Sequence, residues 1–350
     1  MRIPPLPALF CLLAAAGGFV PPAAARAGWA RDGESRELRR VSSRRVLSRY
    51  EAAERDETLA VWICLRDRPA AAAARIGSTA PCMAPRAEVR RSRRAAPGRD
   101  ASDFPVDPAY IERLRAHVVR VRHASRYLNA VSADVRLSDL IAVASESIVE
   151  HIDLVATQRM PHYPAGGSPA PPVREETLSA PEDLYGSTRS QLDHIGALAL
   201  LEETLNASGA AGGTGAVLVA ILDTGFRLDH EALRHVDVEA QWDFVQGDSV
   251  TSNEPGDALG QDKHGTTVLG VIGGRSDGYL YGPAWGARYL LAKTEILDDE
   301  IVLEEDHWVA GVEWADSAGA DIVTSSVGYR DWYTSSDFDG ETALCTKAAD

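Results

Sequence analysis

The sequence predicts two folded units, a small α+β unit followed by a larger α/β unit with a doubly wound parallel sheet. Strand and helix patterns alternate between residues 58 and 156, which suits a small α+β unit. After residue 185, apolar strands are separated by helical segments, which indicates a parallel sheet. The segment 161–184 between the two is rich in Pro and Gly, a composition typical of a linker.

Charge is distributed unevenly along the chain. The 350 residues carry a formal net charge of −15, which argues against a general nucleic-acid binder and predicts no nucleic-acid partner. Residues 1–175 hold 27 Arg and Lys against 19 Asp and Glu, whereas residues 176–350 hold 9 against 32. Two interpretations stay open: two solvated surfaces of different character, or a basic segment that docks on an acidic one.

The N-terminus, residues 1–27, has the three parts of a secretory signal. Arg2 supplies a positive charge, residues 6–20 are apolar, and Ala25-Arg26-Ala27 fits a cleavage site. The apolar run is shorter than the roughly 20 residues that span a bilayer. We therefore expect a secreted or periplasmic protein without a membrane anchor.

A pro-region, residues 28–160, would follow the signal. Its Arg-rich start, 28–50, is interpreted as a poorly ordered leader, and residues 59–65 form an apolar run of strand length. Residues 70–107 lack a clear period and are interpreted as a loop or insertion. The pairs Arg90-Arg91 and Arg93-Arg94 within it are expected to be exposed loop charges rather than processing sites.

Periodic segments complete the α+β unit. Apolar residues three, four and seven apart predict an amphipathic helix over 108–128, with Asp107 at its start. A strand, a helix and a closing strand are then predicted at residues 129–135, 137–145 and 148–152. In the second unit, residues 191–205 and 305–318 predict helices, and the predicted strands are 216–222, 287–292 and 321–325.

The strongest local signal is the run Val217-Leu218-Val219-Ala220-Ile221-Leu222-Asp223-Thr224-Gly225. An apolar strand ends here on a carboxylate followed by a tight turn, and functional groups in open α/β sheets gather at the carboxyl ends of strands. The alternative is an Asp that caps the following loop.

A second signal, Asp262-Lys263-His264-Gly265-Thr266-Thr267-Val268-Leu269-Gly270, places a His before small residues. These would let the start of a helix lie close to other backbone, with the His at its N-terminus facing a cleft. A lone His is more often structural, but this one follows Asp223 by 41 positions.

Together the two segments resemble the subtilisin-like serine peptidases, the subtilase family S8. Asp223 matches the family's V-A-x-x-D-T-G pattern, and His264 matches H-G-T-x-V-x-G. The segment Ser326, Val327 and Gly328 is similar to the strand that binds the substrate backbone in the family. The resemblance implies a peptidase domain over residues 185–350. The α+β unit, about 58–156, resembles the family's ferredoxin-like propeptide, most clearly in Tyr127-Leu128-Asn129-Ala130-Val131.

The resemblance implies acyl transfer by an Asp-His-Ser triad acting on a protein or peptide substrate. A serine would attack the scissile carbonyl, His264 would accept its proton, and Asp223 would hold the imidazole tautomer. The chemistry requires no cofactor. The propeptide would be an intramolecular partner, and complementary charge would help it dock, chaperone and inhibit.

The sequence departs from the family pattern after the third segment. It contains no Gly-Thr-Ser segment for the nucleophile, and no Asn follows His264 to serve an oxyanion hole. We interpret the chain as a C-terminally truncated fragment of a longer precursor, inactive by itself and incomplete in its sheet.

Two other functions are compatible with parts of the sequence. Asp-Thr-Gly also occurs in aspartic peptidases, but a second copy is missing from the sequence and the His264 segment would stay unexplained. A non-catalytic secreted protein that uses the same scaffold for binding would explain the missing serine if residue 350 were the natural end.

Metal and disulfide assignments stay open. Calcium takes six to eight oxygen ligands, and the family often binds it. The carboxylates between 295 and 306 are either such ligands or, as we prefer, a solvated loop with an acidic helix start: Glu295, Asp298, Asp299, Glu300, Glu304, Glu305 and Asp306. In an exported chain Cys64 could pair with Cys82, which would leave Cys345 odd.

Overall fold

A computed structural model describes residues 32–52, 56–68, 83–93, 101–155, 157–158, 183–209, 215–297 and 303–326. The predicted signal, most of the predicted linker, Cys82 and Cys345 lie outside these residues. We call residues 32–158 the N-terminal unit and residues 183–326 the C-terminal unit. None of the described helices is both long and apolar enough to cross a bilayer.

The N-terminal unit contains a four-stranded antiparallel sheet. Its strands are β1 (Thr58–Leu65), β2 (Arg120–Ser125), β3 (Ala130–Arg136) and β4 (Val149–Leu154), in the order β2-β3-β1-β4. Helix α4 (Pro108–Arg115) lies between β1 and β2, and α5 (Leu140–Ser145) lies between β3 and β4. This succession, with β1 and β3 central, is the ferredoxin-like split βαβ arrangement that the resemblance to the propeptide implies, and it has one strand more than the sequence patterns predict.

The supposed leader is helical, which corrects the interpretation of residues 28–50. Helices α1 (Asp32–Val41) and α2 (Arg44–Ala52) bury Leu38, Val41 and Val46 in the core of the N-terminal unit. Most other residues of the two helices are polar or charged, so the apolar pattern that would predict them is weak. Packing of the three apolar residues in the core stabilises the helices.

Two further interpretations in this unit are wrong. The supposed insertion 70–107 contains helix α3 (Pro85–Ser92). The helix predicted over 108–128 ends at Arg115, although Asp107 does cap it by accepting from Ala109 N at 2.8 Å. Residues 120–125 form strand β2 instead. Val118 and Val121 fit helical spacing by coincidence, while β-branched residues and Arg/Val alternation favour a strand.

The C-terminal unit contains a four-stranded parallel sheet. Its strands are β6 (Leu218–Asp223), β7 (Asp237–Asp243), β10 (Arg288–Lys293) and β12 (Ile322–Ser325), in the order β12-β6-β10-β7. Helix α8 (Lys263–Gly273) packs on one face of the sheet through Leu269, against Ile221 and Leu291. Helix α9 (Glu305–Ala318) covers the other face through Ala315, against Leu222 and Ala292. Helices on both faces confirm the doubly wound prediction.

Two details of this unit differ from the prediction. The helix expected over 191–205 is two short helices, α6 (Arg189–His194) and α7 (Ala197–Glu202), because Gly196 between them adopts a left-handed conformation. Strand β7 had not been predicted. A small hairpin of β8 (Arg275–Ser276) and β9 (Leu280–Tyr281) follows α8.

The two units meet along α9. An apolar cluster at the centre of the contact contains Trp62, Ala130 and Val155 from the N-terminal unit and Val309 from α9. Beyond β4, strand β5 (Thr157–Gln158) pairs antiparallel with β11 (Leu303–Glu304), which immediately precedes α9. The C-terminal end of the N-terminal unit is thus held by backbone pairing on the C-terminal unit.

Candidate active site

Asp223 lies at the carboxyl end of β6, beneath the protein surface. All six residues of β6 are buried, and Asp223 itself is 0% exposed. Its Oδ1 accepts three hydrogen bonds, from Thr224 N at 2.7 Å, Thr224 Oγ1 at 3.2 Å and His264 Nδ1 at 2.7 Å. These donors compensate for removing a carboxylate from water.

His264 is the second residue of α8, so its imidazole stands at the N-terminal end of that helix. The side chain is 43% exposed while Asp223 is buried. Because Nδ1 donates to the carboxylate, the neutral imidazole carries its lone pair on Nε2. The pair therefore has the orientation of a general base whose tautomer is fixed by a buried acid.

Gly265 allows α8 to approach Asp223. A Cβ at this position would overlap the carbonyl oxygen of Gly225 and lie 3.0 Å from Asp223 Cβ. The backbone is locked further by Thr266 Oγ1, which accepts from Arg227 N at 2.8 Å. The prediction that small residues after the His permit close backbone contact is confirmed.

The predicted substrate-binding residues are only partly described. Ser326 directly follows β12 and is exposed, at the edge of the sheet next to β6. Val327 and Gly328 lie outside the described residues, so their predicted role stays a prediction. Trp308 of α9 donates from Nε1 to Ser325 Oγ at 3.0 Å and fixes the end of β12.

The acidic residues between 295 and 306 do not behave as one group. Glu305 accepts from Trp62 Nε1 at 3.2 Å, and Asp306 accepts from Arg122 Nε at 2.7 Å. Both form the acidic first turn of α9, as the preferred interpretation expects. They are buried and face the N-terminal unit, so the expectation that they are solvated is wrong. Glu295 is buried near Asp223, whereas residues 298–300 lie outside the described part of the chain.

A different acidic group lies beside β7. Asp243, Asp248 and Glu254 bring one carboxylate oxygen each within 4.8 Å of one another. The ammonium of Lys293 already lies there, 2.7 Å from Asp243 Oδ2 and 2.9 Å from Asp257 Oδ2. This group was not predicted from the sequence.

Charged residues surround the apolar contact between the units. Burial alone would raise the pKa of Asp316, but hydrogen bonds from Tyr127 and Arg126 lower it well below its ordinary value. The Glu313 carboxylate accepts from the backbone N–H of Arg126 at 3.1 Å and of Tyr127 at 3.3 Å. It also accepts from the hydroxyl of Ser125. One acid of α9 thus caps the turn that joins β2 and β3.

Helix α3 adds a second set of ion pairs. Arg90 and Arg91 both contact Asp316, the latter at 3.0 Å, and Arg86 contacts Asp321 and donates to Ala216 O at 2.7 Å. The expectation that Arg90 and Arg91 are exposed loop charges is therefore wrong. They are half-buried residues of a helix that binds the acidic C-terminal unit.

Comparison with known proteins gives two family matches. Residues 60–166 match the model described as peptidase S8 propeptide domain, Bacteroidota. Residues 214–349 match the subtilase family model. A search of curated proteins returns no sequence match.

Among solved structures, the chain resembles the epidermin leader peptide processing serine protease of Staphylococcus aureus. The TM-score is 0.45 with 12% sequence identity, over 77% of this chain and 50% of that one. The chain therefore spans about half the length of this solved relative.

Proposed function

We propose that this chain, which carries a subtilase-family domain behind a peptidase S8 propeptide domain, is the precursor of a secreted serine endopeptidase. The observation that supports this most directly is the 2.7 Å contact between His264 Nδ1 and Asp223 Oδ1. A buried carboxylate, an exposed imidazole and a fixed tautomer are what the base half of a serine triad requires.

In the proposed mechanism, the Nε2 of His264 accepts the proton of a serine hydroxyl as the serine attacks the scissile carbonyl. The imidazolium then gives the proton to the leaving amine, and water repeats the sequence on the acyl-enzyme. Asp223 stabilises the imidazolium while staying ionised. Residues 1–350 contain no Gly-Thr-Ser segment, so the proposal takes the nucleophile from a segment outside them.

Substrate would bind along Ser326, Val327 and Gly328, at the end of β12. This edge is next to β6, so a peptide that extends it would place its scissile bond near His264. Since main-chain hydrogen bonds would hold the substrate, the substrate class is an extended peptide or protein segment.

The N-terminal unit would act as a docked inhibitor until it is cleaved. It contacts α9 through apolar and ionic groups. Its last strand, β5, also pairs with β11 of the C-terminal unit through backbone hydrogen bonds. Export would follow from the signal pattern of residues 1–27. Cleavage after Gln158 and before Asp183 would then free the peptidase.

The test begins with the DNA after codon 350, where we expect an open frame encoding Gly-Thr-Ser. The precursor from that frame should process itself, and its mature form should react with a fluorophosphonate. Asp223→Asn should lower kcat about 10⁴-fold, because the Asn stabilises the wrong imidazole tautomer. His264→Ala should abolish processing, while Asp229→Asn in an exposed position serves as the control.

A stop codon after residue 350 together with no fluorophosphonate labelling would overturn the proposal. That result would favour the non-catalytic binding function instead.

A further inference from the structure

Glu295 is a buried acid two residues beyond the end of β10, the strand that pairs with the Asp223 strand β6. Lys293 is the register partner of Asp223, and Glu295 follows it by two residues, which repeats the same side-chain direction along an extended chain. Glu295 is only 1% exposed. The peptide link next to Lys293 is also fixed, because Thr294 N donates to Asp223 O at 3.0 Å.

Gln261 fastens this segment to the turn after Asp223. Its Nε2 donates to Thr224 O at 2.8 Å and to Glu295 O at 2.6 Å, and its Oε1 accepts from Leu297 N at 2.6 Å. Gln261 is 1% exposed. The backbone of Glu295 is therefore held against the loop that positions the dyad, without a role for its own carboxyl group.

One oxygen of each of these two carboxyl groups lacks a partner within the part of the chain that the structure describes. Asp223 Oδ1 accepts all three hydrogen bonds described above, whereas Asp223 Oδ2 is buried without a hydrogen-bond partner among the described residues. Glu295 Oε1 likewise is buried without a hydrogen-bond partner among them. Buried polar atoms in native proteins nearly always have a partner, so these two oxygens require an account.

A single proton satisfies both. An ionised carboxylate only accepts hydrogen bonds, but a protonated carboxyl group also donates one. Burial raises the pKa of Glu295 well above its ordinary value, and the negative charge of Asp223 raises it further. The nearby ammonium of Lys293 is already paired with Asp243 and Asp257.

We propose that Glu295 is a positioning residue of the dyad, whose neutral carboxyl group donates a hydrogen bond to Asp223 Oδ2, directly or through one water. The proton stays on Glu295 throughout the reaction. Its role is to fix the plane of the Asp223 carboxylate, so that Oδ1 points at His264. This inference rests on the proposed peptidase function.

The test compares three variants in the full-length precursor and its mature form. Glu295→Gln keeps the shape and a neutral donor, whereas Glu295→Leu keeps the volume and removes the donor. Glu231→Gln removes a carboxylate from an exposed position of the same unit and is the control. We expect Glu295→Leu to lower kcat/KM about five- to tenfold, as for one lost hydrogen bond, and Glu295→Gln to recover most of that loss.

Two spectroscopic readouts separate this proposal from the peptidase proposal, since neither needs a nucleophile. The NMR resonance of the proton between His264 Nδ1 and Asp223 should shift in Glu295→Leu and return toward its original position in Glu295→Gln. At neutral pH, infrared spectra should contain the C=O band of a protonated carboxyl group, and Glu295→Gln should remove it. The band keeps the test decisive if Glu295→Leu does not fold.

Three results would overturn the inference. One is a missing carboxylic acid band. Another is an acid limb of the pH–rate profile that moves to lower pH in Glu295→Gln, which would mean that Glu295 is ionised. The last is a folded Glu295→Leu variant with unchanged kcat/KM and an unchanged resonance.

Discussion

Arg126 of the N-terminal unit donates to Asp316 of α9 at 2.7 Å. Both side chains are largely buried, with 5% and 14% exposure. Opposite charges of the two halves of the sequence thus meet at this interface. Basic residues of the N-terminal unit pair there with acids of α9 and with Asp321 just after it: Arg86, Arg90, Arg91, Arg122 and Arg126 with Asp306, Glu313, Asp316 and Asp321. This contact supports the docking interpretation over two independent solvated surfaces.

Arg126→Ala should weaken inhibition by the N-terminal unit. Removing one partner of a buried ion pair costs about 3–5 kcal/mol, because Asp316 and Glu313 keep their charges. The inhibition constant of the N-terminal unit, added to the mature peptidase, should therefore rise at least about 100-fold. Arg136→Ala, which removes an exposed Arg of the same sheet, is the matched control. Equal inhibition constants for both variants would contradict the docking role.

Acid should also weaken the docked state, through His123. This imidazole lies on β2, with Nε2 3.8 Å from Glu313 Oε2. Burial lowers the pKa of His123 below the ordinary 6.5. The charges of Glu313 and Asp306 act to raise this pKa, and the charge of Arg126 lowers it further. Since the undocked His123 binds a proton more readily, docking is strongest above about pH 6.5 and weakens as pH falls below it.

The measurement is the inhibition constant at about pH 7.5 and about pH 5.5, near either side of the ordinary His pKa. His123→Asn should reduce the difference, whereas His151→Asn, at an exposed position on β4, should not. An inhibition constant that decreases on acidification would show that the charge of Glu313 outweighs burial.

Gly265 and Gly270 of α8 should respond oppositely to alanine. In Gly265→Ala the new methyl group would overlap Gly225 O, so α8 must move away from Asp223. A shift of this kind costs on the order of 100-fold in kcat. Gly270→Ala meets no atom within 4 Å and should stabilise the helix by roughly 0.5–1 kcal/mol. Activity and urea denaturation of both variants provide the check, and equal activities would rule out the close approach.

The dyad could be predicted from the sequence because its signals are local. Asp223 ends an apolar run, which predicts a carboxylate at the end of a buried strand. His264 precedes a group of small residues, which predicts an imidazole at the start of a closely packed helix. The doubly wound sheet could be predicted for the same reason, since each buried strand is a continuous apolar run. The ends of β6 and β10 differ from the predicted ones by only one or two residues.

Elements that depend on tertiary contacts were not predicted. Helices α1 and α2 consist mostly of polar residues and gain stability from burying Leu38, Val41 and Val46. Helix α3 is anchored by ion pairs to Asp316, a residue more than 200 positions away. Glu295 was grouped with the acids near it in the sequence. Its relation to Asp223 becomes visible only when the register is known, because Glu295 follows Lys293, the strand partner of Asp223, by two residues.

Lys293 supplies the positive charge for the acidic group beside β7. It is 0% exposed. Burial lowers the pKa of its ammonium, but the hydrogen bonds that the ammonium donates to Asp243 and Asp257 raise that pKa above its ordinary value. The ammonium therefore stays charged and neutralises carboxylates that would otherwise repel one another. Asp248 and Glu254 lie at the edge of the same group.

Lys293→Met should destabilise the precursor by about 3–5 kcal/mol, because it leaves the charge of the fully buried Asp243 without its partner. Arg227→Met, in an exposed ion pair with Asp229 of the same unit, should cost no more than about 1 kcal/mol. Since the Lys293 ammonium already neutralises the group, we expect the same Tm for the wild-type precursor with calcium and with a chelator. A Tm that falls on chelation would instead assign a calcium ion to the protein, and the loss of that dependence in Asp248→Asn would place the ion beside β7.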